Sequence, residues 1–206
     1  MDAYHFQTLL HTAFHKVFGA SSGNLLVPTL HAICRSTHHL AVAADVQGQT
    51  TNSHPKVQHA VSLLQESFSR TFNDRTEFRP SLHYTSEGSK KAGVLCIVNE
   101  LFAMYFVLNT LRLCKNLLRP VESRNLHQNQ RMGDMVTYKY YVGRLALFED
   151  QYAMAEEHLT YAFQHCHRHA KHNQKCILQY LVPVKLYRGK LPTPQCTVNE
   201  PMMRVR

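Results

Sequence analysis

Six cations near one end of the chain carry its clearest chemistry. Arg168, Lys171, Lys175, Lys185, Arg188 and Lys190 lie close together, and no Asp or Glu occurs between His158 and Asn199. Lys171 and Lys175 stand four apart, which places them on one face of a helix. A cluster of this kind meets phosphates with salt-dependent affinity and little sequence preference. It would meet an acidic peptide equally, with faster association. These six are the candidate residues for binding a partner or nucleic acid, and a solvated basic edge is the plain alternative.

Other groupings are weaker. His165 and His169 stand four apart near Cys166, His167 and His172, so two imidazoles could reach one Zn²⁺. No second ligand pair has finger-type spacing, and histidines near the last carbonyls of a helix also suit its dipole. Glu149–Asp150 and Glu156–Glu157 pair carboxylates, but acids at Glu156–Glu157 would open a helix, where the dipole favours them. The sequence contains no Walker loop, HExxH, GxGxxG or nucleophile elbow. Catalytic residues, metal ligands and cofactors are therefore expected to be none. Among the aromatic residues of this region, Tyr141, Phe148 and Tyr161 read as core, and Tyr138 or Tyr140 as the exposed members.

The elements that must hold these residues are helices. Met1 leads almost directly into a stripe of Phe6, Leu10, Ala13/Phe14 and Val17, with turn residues from Gly19 to Asn24. A second helix near 25–44 and a third near 55–72 follow, the third with Pro55 in its first turn, where a missing N–H is harmless. From Ala92 the pattern is dense: Leu95, Val98, Phe102 and Phe106, a tight turn at Asn109–Thr110, then Leu111, Cys114 and Leu117, ending before Pro120. Helices at 135–147, 152–167 and 171–187 complete the set. In the second-to-last pair, Gly143, Ala155, Leu159 and Ala162 fall where a tetratricopeptide-type hairpin needs small or apolar residues. Such a hairpin cannot bury its face alone and implies stacked neighbours.

Composition agrees. The formal charge is +9, with 23 Lys and Arg against 14 Asp and Glu. Residues 91–206 hold 16 of the former and 8 of the latter, so the excess sits in the half that carries the repeat. Six cysteines without a CxxC suggest a reducing compartment. The most apolar run, Val94–Leu108, is shorter than the roughly 18–20 residues of a bilayer span, so no membrane partner is expected.

The stretch VTYKYYVGRLALFEDQYAMAEEHLTYAFQHCHR, with ILQYLVPVKLYRGKLPT after it and LCIVNELFAMYFVLNTLRLCKNLLRPVESRNL before it, resembles the PCI domain-containing protein 2 family. DAYHFQTLLHTAFHKVF resembles an internal helix of that family. A branch of the signalosome family shares the domain type. The resemblance implies an all-α, right-handed tetratricopeptide-like solenoid of a PCI domain, here lacking the family's first helices and its C-terminal winged helix. It divides the chain into an N-terminal helical region (1–91), the helical repeats (92–193) and a tail outside the family pattern (194–206), expected to be disordered. It further implies a non-enzymatic subunit of the nuclear transcription-coupled mRNA export complex, located in the nucleus at the pore and also in the cytoplasm. Its implied partners are a large GANP-type scaffold subunit, a small acidic disordered subunit, and RNA or DNA on the basic surface. The alternative is a signalosome- or proteasome-lid-type scaffold without nucleic acid. The helix at 171–187 would then lack a partner starting near Pro192, leaving Ile177, Leu178, Leu181 and Val184 partly exposed.

Overall fold

A computed structural model describes residues 3–20, 24–48, 54–76, 88–126 and 130–190. The expected tail and the helix start near Pro192 lie outside them. Eight α-helices and no strand occur among the described residues, and the chain packs as two compact units, 1–130 and 131–206.

Unit 1 contains α1 (Ala3–Ala20), α2 (Val27–Gln47), α3 (Pro55–Phe72), α4 (Val94–Val107) and α5 (Arg112–Ser123), with a 3-10 turn at Lys90–Gly93 before α4. α4 is the most deeply buried. Val94 to Val98, Leu101, Phe102, Met104 and Tyr105 are all inside, because α2, α3 and α5 surround it. A helix apolar on nearly all sides belongs in such a place.

α1 turns the opposite way from the expectation. Phe6, Leu10 and Val17 are 53–59% exposed. The inner stripe is Tyr4, Gln7, His11, Phe14/His15 and Phe18, which has equally good helical spacing. The reason lies in what α2 and α3 offer. Gln7 donates to Thr37 Oγ1 at 3.2 Å; His11 Nδ1 lies 2.9 Å from the same oxygen and His11 Nε2 2.8 Å from Ser67 Oγ. Ser67 Oγ is 2.7 Å from His15 Nε2, and His15 Nδ1 is 3.2 Å from Glu66 Oε2. Arg70 donates to Glu66 from the other side. Thr37 Oγ1 itself donates to Ile33 O at 2.8 Å, so the row ties α1, α2 and α3 together through shared hydroxyl oxygens, with His15 standing against the Glu66 carboxylate at its end. A polar stripe is thus buried because its partners meet it. Burial, and next the neighbouring His15, push the His11 imidazole down to about 4 against the upward pull of Glu66. Burial lowers His15 as well.

α5 also departs from expectation: it continues through Pro120 to Ser123. Proline removes one backbone N–H there, but Lys115, Asn116 and Arg119 beside it are exposed, so the unpaired carbonyl side of the helix is not buried. What ends α5 is Asn125 at φ 51°, after which Leu126 N–H donates to Val121 O at 3.0 Å. α4 ends the same way at Asn109 (φ 53°), with Thr110 N–H on Tyr105 O at 2.9 Å. A left-handed residue followed by a bond reaching five residues back closes the orphan carbonyls of a helix end, and asparagine tolerates that conformation.

Unit 2 is α6 (Met132–Phe148), α7 (Tyr152–His165) and α8 (Lys171–Tyr187). α6 ends at Asp150 (φ 58°), with Gln151 N–H on Ala146 O at 2.9 Å; Gly189 (φ 73°) and Lys190 N–H close α8 in the same way. The three-residue turn makes α6 and α7 antiparallel neighbours.

Candidate functional site

The α6–α7 hairpin fixes the position of everything that follows. Ala155, Leu159 and Ala162 are fully buried. A Cβ built on Gly143 would lie 2.7 Å from Leu159 Cγ and 3.3 Å from the Leu159 backbone nitrogen. Only glycine allows α7 this close. α8 then packs on α7 through Ile177, Leu181 and Val184, all buried against Ala155, Leu159 and Ala162. The expected exposure of that stripe is therefore overturned: α7 itself covers it, and Leu178 joins the same cluster as a partly buried member. The apolar side chains of α8 that do face outward are Leu186 and Tyr187.

The tyrosine assignment also reverses in part. Tyr138 is buried, whereas Phe148, at the end of α6, is 58% exposed. Tyr138 shares one helical stripe with Val142 and Leu145, all three buried, a different stripe from the Val136, Gly143 and Ala146 side that packs on α7.

The six candidate cations divide into two groups. Lys185, Arg188 and Lys190 gather around Glu156 of α7. Arg188 Nη1 donates to Glu156 Oε2, and Lys190 Nζ donates to Oε1 at 2.6 Å. Lys185 is only 7% exposed and acts on the same carboxylate. Burial alone would raise the Glu156 carboxyl, but Lys190, Arg188 and Lys185 more than offset it and hold it below the ordinary carboxylate range. Glu156 is thus the counter-ion that locks the end of α8 to α7. It does not open its helix, as its sequence position suggested: α7 begins at Tyr152, a full turn earlier.

Arg168, Lys171 and Lys175 form the second group, and all three side chains are exposed. Arg168 lies in the turn after α7, and the two lysines lie on the first turns of α8. The histidines nearby do not share a helix face. α7 stops at His165, whose ring contacts its own helix at Tyr161 O (2.9 Å), and Cys166 is extended. His169 sits beyond that break, so the four-residue relation places no pair on one metal.

Sequence reading missed the groove between α6 and α8. It has a volume of about 260 Å³ with Val136 and Ile177 among its lining residues, together with Tyr140, Tyr141, Arg144 and Cys176. The Arg144 guanidinium sits 4.7 Å from the centroid of Tyr180, 5.3 Å from Tyr140 and 5.8 Å from Tyr141, a range in which ring faces attract cations. The signal was present as Tyr140, Tyr141 and Arg144 on one helix and Tyr180 on another, but nothing in the sequence shows that α6 and α8 flank one groove. A hydroxyl, an imidazole and a carboxylate also line up as Ser67, His15 and Glu66 in unit 1. Ser67 is fully buried, so the arrangement joins helices and offers no surface to a substrate.

No helix among the described residues is long and apolar enough to cross a membrane, and the five described cysteines are free thiols. No protein-family model matches the chain. By sequence it is similar to PCI domain-containing protein 2 of Xenopus laevis, 38% identical over 199 residues that cover 94% of this chain and 48% of that protein. The Danio rerio protein of the same name is 36% identical over 99% of this chain and 50% of its own length. Protein CSN12 homolog of Mycosarcoma maydis is 32% identical, over 89% of this chain and 42% of its own. The chain therefore spans about half the length of the curated relatives it matches.

Proposed function

We propose that this chain, which belongs to the PCI domain-containing protein 2 family, works as a non-enzymatic scaffold subunit of the nuclear transcription-coupled mRNA export complex. In this reading it acts in the nucleus at the pore, holding a large GANP-type subunit and a small acidic disordered subunit, with RNA or DNA on its basic helical surface. The observation that supports it most is the stacked α6–α7–α8 packing on Gly143 and Leu159. It builds a rigid helical platform whose outer face carries Arg168, Lys171 and Lys175, and such stacked helices present extended binding surfaces. Co-purification of the full chain with a GANP-type subunit from nuclear extract tests the reading; recovery with signalosome subunits instead would refute it.

A second reading has its own support in the similarity to Protein CSN12 homolog: a signalosome-type scaffold that binds no nucleic acid. In a gel-shift titration the first reading expects RNA binding that weakens as salt rises; the second expects none.

A further inference from the structure

The α6–α8 groove combines three properties that seldom coincide by chance. It offers aromatic surface, with Tyr140 and Tyr141 both half-buried along it. It holds a guanidinium placed among three tyrosine rings. No carboxylate occurs among its described lining residues. His172 and Cys176 line the α8 wall, so Lys171 and Lys175, each one residue earlier, stand about 100° round the helix on its flank. Arg168 sits in the turn just before. The groove is therefore a small aromatic recess beside a row of exposed positive charges.

We propose that this groove is a binding site for single-stranded nucleic acid: one base lies against Tyr141 and Arg144, and Lys175, Lys171 and Arg168 meet the phosphates on one side of it. Aromatic faces beside a cationic track are how strands are held without sequence preference, and guanidinium planes stack on bases as well as on tyrosine. An acidic peptide would use the cations but leave the tyrosine faces without a matching flat group, which favours a base as the occupant. Duplex ends would engage only the cations. The proposal rests on the nucleic-acid part of the function above, and names the residues that perform it. Arg188 and Lys190 are left out because Glu156 already holds them.

The test is fluorescence anisotropy of the full chain with a fluorescein-labelled octauridylate, a blunt RNA duplex and a poly-glutamate peptide. Octauridylate should bind more tightly than the duplex, with a slope of log K against log salt of about −2 if three phosphates are met. Tyr141→Ala should weaken the single strand about 5- to 100-fold, the effect of removing one base-stacking ring, and Tyr141→Phe should restore it. Lys175→Ala should flatten the salt slope by about 0.7, whereas Arg188→Ala should leave it unchanged. Thermal melts of each variant separate loss of binding from loss of fold. Octauridylate binding that ignores Tyr141 and Lys175 overturns the groove while leaving RNA binding on the basic surface intact. Binding of poly-glutamate but not of octauridylate overturns both and makes the groove a peptide site.

Discussion

Replacing Gly143 with alanine should destabilise the protein, although the same change in most helices stabilises it. In an open helix the substitution gains about 1 kcal/mol. Here the added methyl would stand 2.7 Å from Leu159 Cγ and 3.0 Å from its Cδ2, about 0.5–1.3 Å inside ordinary contact. Leu159 cannot yield. Its side chain is fully buried against Ala146, Ala155 and Leu181, and its backbone nitrogen is itself 3.3 Å from the new methyl. Relief requires α6 and α7 to separate, which loosens the whole layer between them. Overpacking of this kind costs about 1–3 kcal/mol, so after the helix gain a net loss of up to about 2 kcal/mol is expected, read as a lower urea midpoint by circular dichroism. Leu159→Ala alone should cost about 2–5 kcal/mol. In that background the clash disappears, and Gly143→Ala should become neutral or stabilising by up to about 1 kcal/mol. The double-mutant cycle should therefore show a coupling of about 2 kcal/mol. A Gly143→Ala protein more stable than the parent, or strict additivity in the cycle, would refute the close-approach argument.

Acid should weaken the fold through the buried histidines. Between the ordinary imidazole value near 6.5 and about 4, the unfolded chain takes up a proton that His11 in the folded chain refuses. Stability is thus unaffected by His11 above pH 6.5, falls as pH drops through this window, and loses nothing further below 4. At pH 5 the loss from His11 is about 2 kcal/mol, and His15 adds to it in the same direction. Urea midpoints of wild type and His11→Gln across pH 4–7 check this; equal pH slopes for the two would count against it. Glu156→Gln should destabilise by about 1–3 kcal/mol, since it removes the carboxylate that holds Arg188 and Lys190 and faces the buried Lys185. Chemical denaturation at low and high salt would measure that loss, and an unchanged midpoint would remove Glu156 from the lock. On α1, Leu10→Ser should change stability by less than about 0.5 kcal/mol, whereas Phe18→Ala should cost about 3–5 kcal/mol. The reverse order would mean that α1 faces the other way.

What the sequence could reveal depended on how local the cause was. The α6–α7 hairpin was legible because one small residue at the closest approach, Gly143, dictates where Ala155, Leu159 and Ala162 must stand. The end of α8 was legible for a local reason too: Gly189, at φ 73°, stops the helix within the segment itself. α1 was not. Two stripes of equal period run along it, and hydrophobicity alone selects Phe6, Leu10 and Val17. The buried choice is decided by Thr37 and Ser67 on other helices, whose hydroxyls meet Gln7, His11 and His15 of the polar stripe. The basic run misled in a similar manner. A window of sequence without acids looks uncompensated, yet Glu156, more than thirty residues away from Arg188 and Lys190, lies against both.

That division of the cations has an electrostatic logic. Lys185 and Arg188 stand at the C-terminal end of α8, where the helix dipole is negative and cations stabilise, and Glu156 secures them further. Lys171 and Lys175 stand at the opposite end, where the dipole is positive, and the first turn of α8 contains no acid to relieve it. In the turn before, Arg168 adds to the same crowding. A helix start is ordinarily furnished with Asp or Glu; this one is furnished with the wrong sign for its own stability. Hydrophobic packing of Ile177, Leu181 and Val184 keeps α8 formed regardless. Local rules broken where the rest of the structure agrees mark places where something other than folding is being served. An anion seated beside Lys171 and Lys175 would relieve both the dipole and the mutual repulsion of the cations, which no substitution at the Glu156 end of α8 can do.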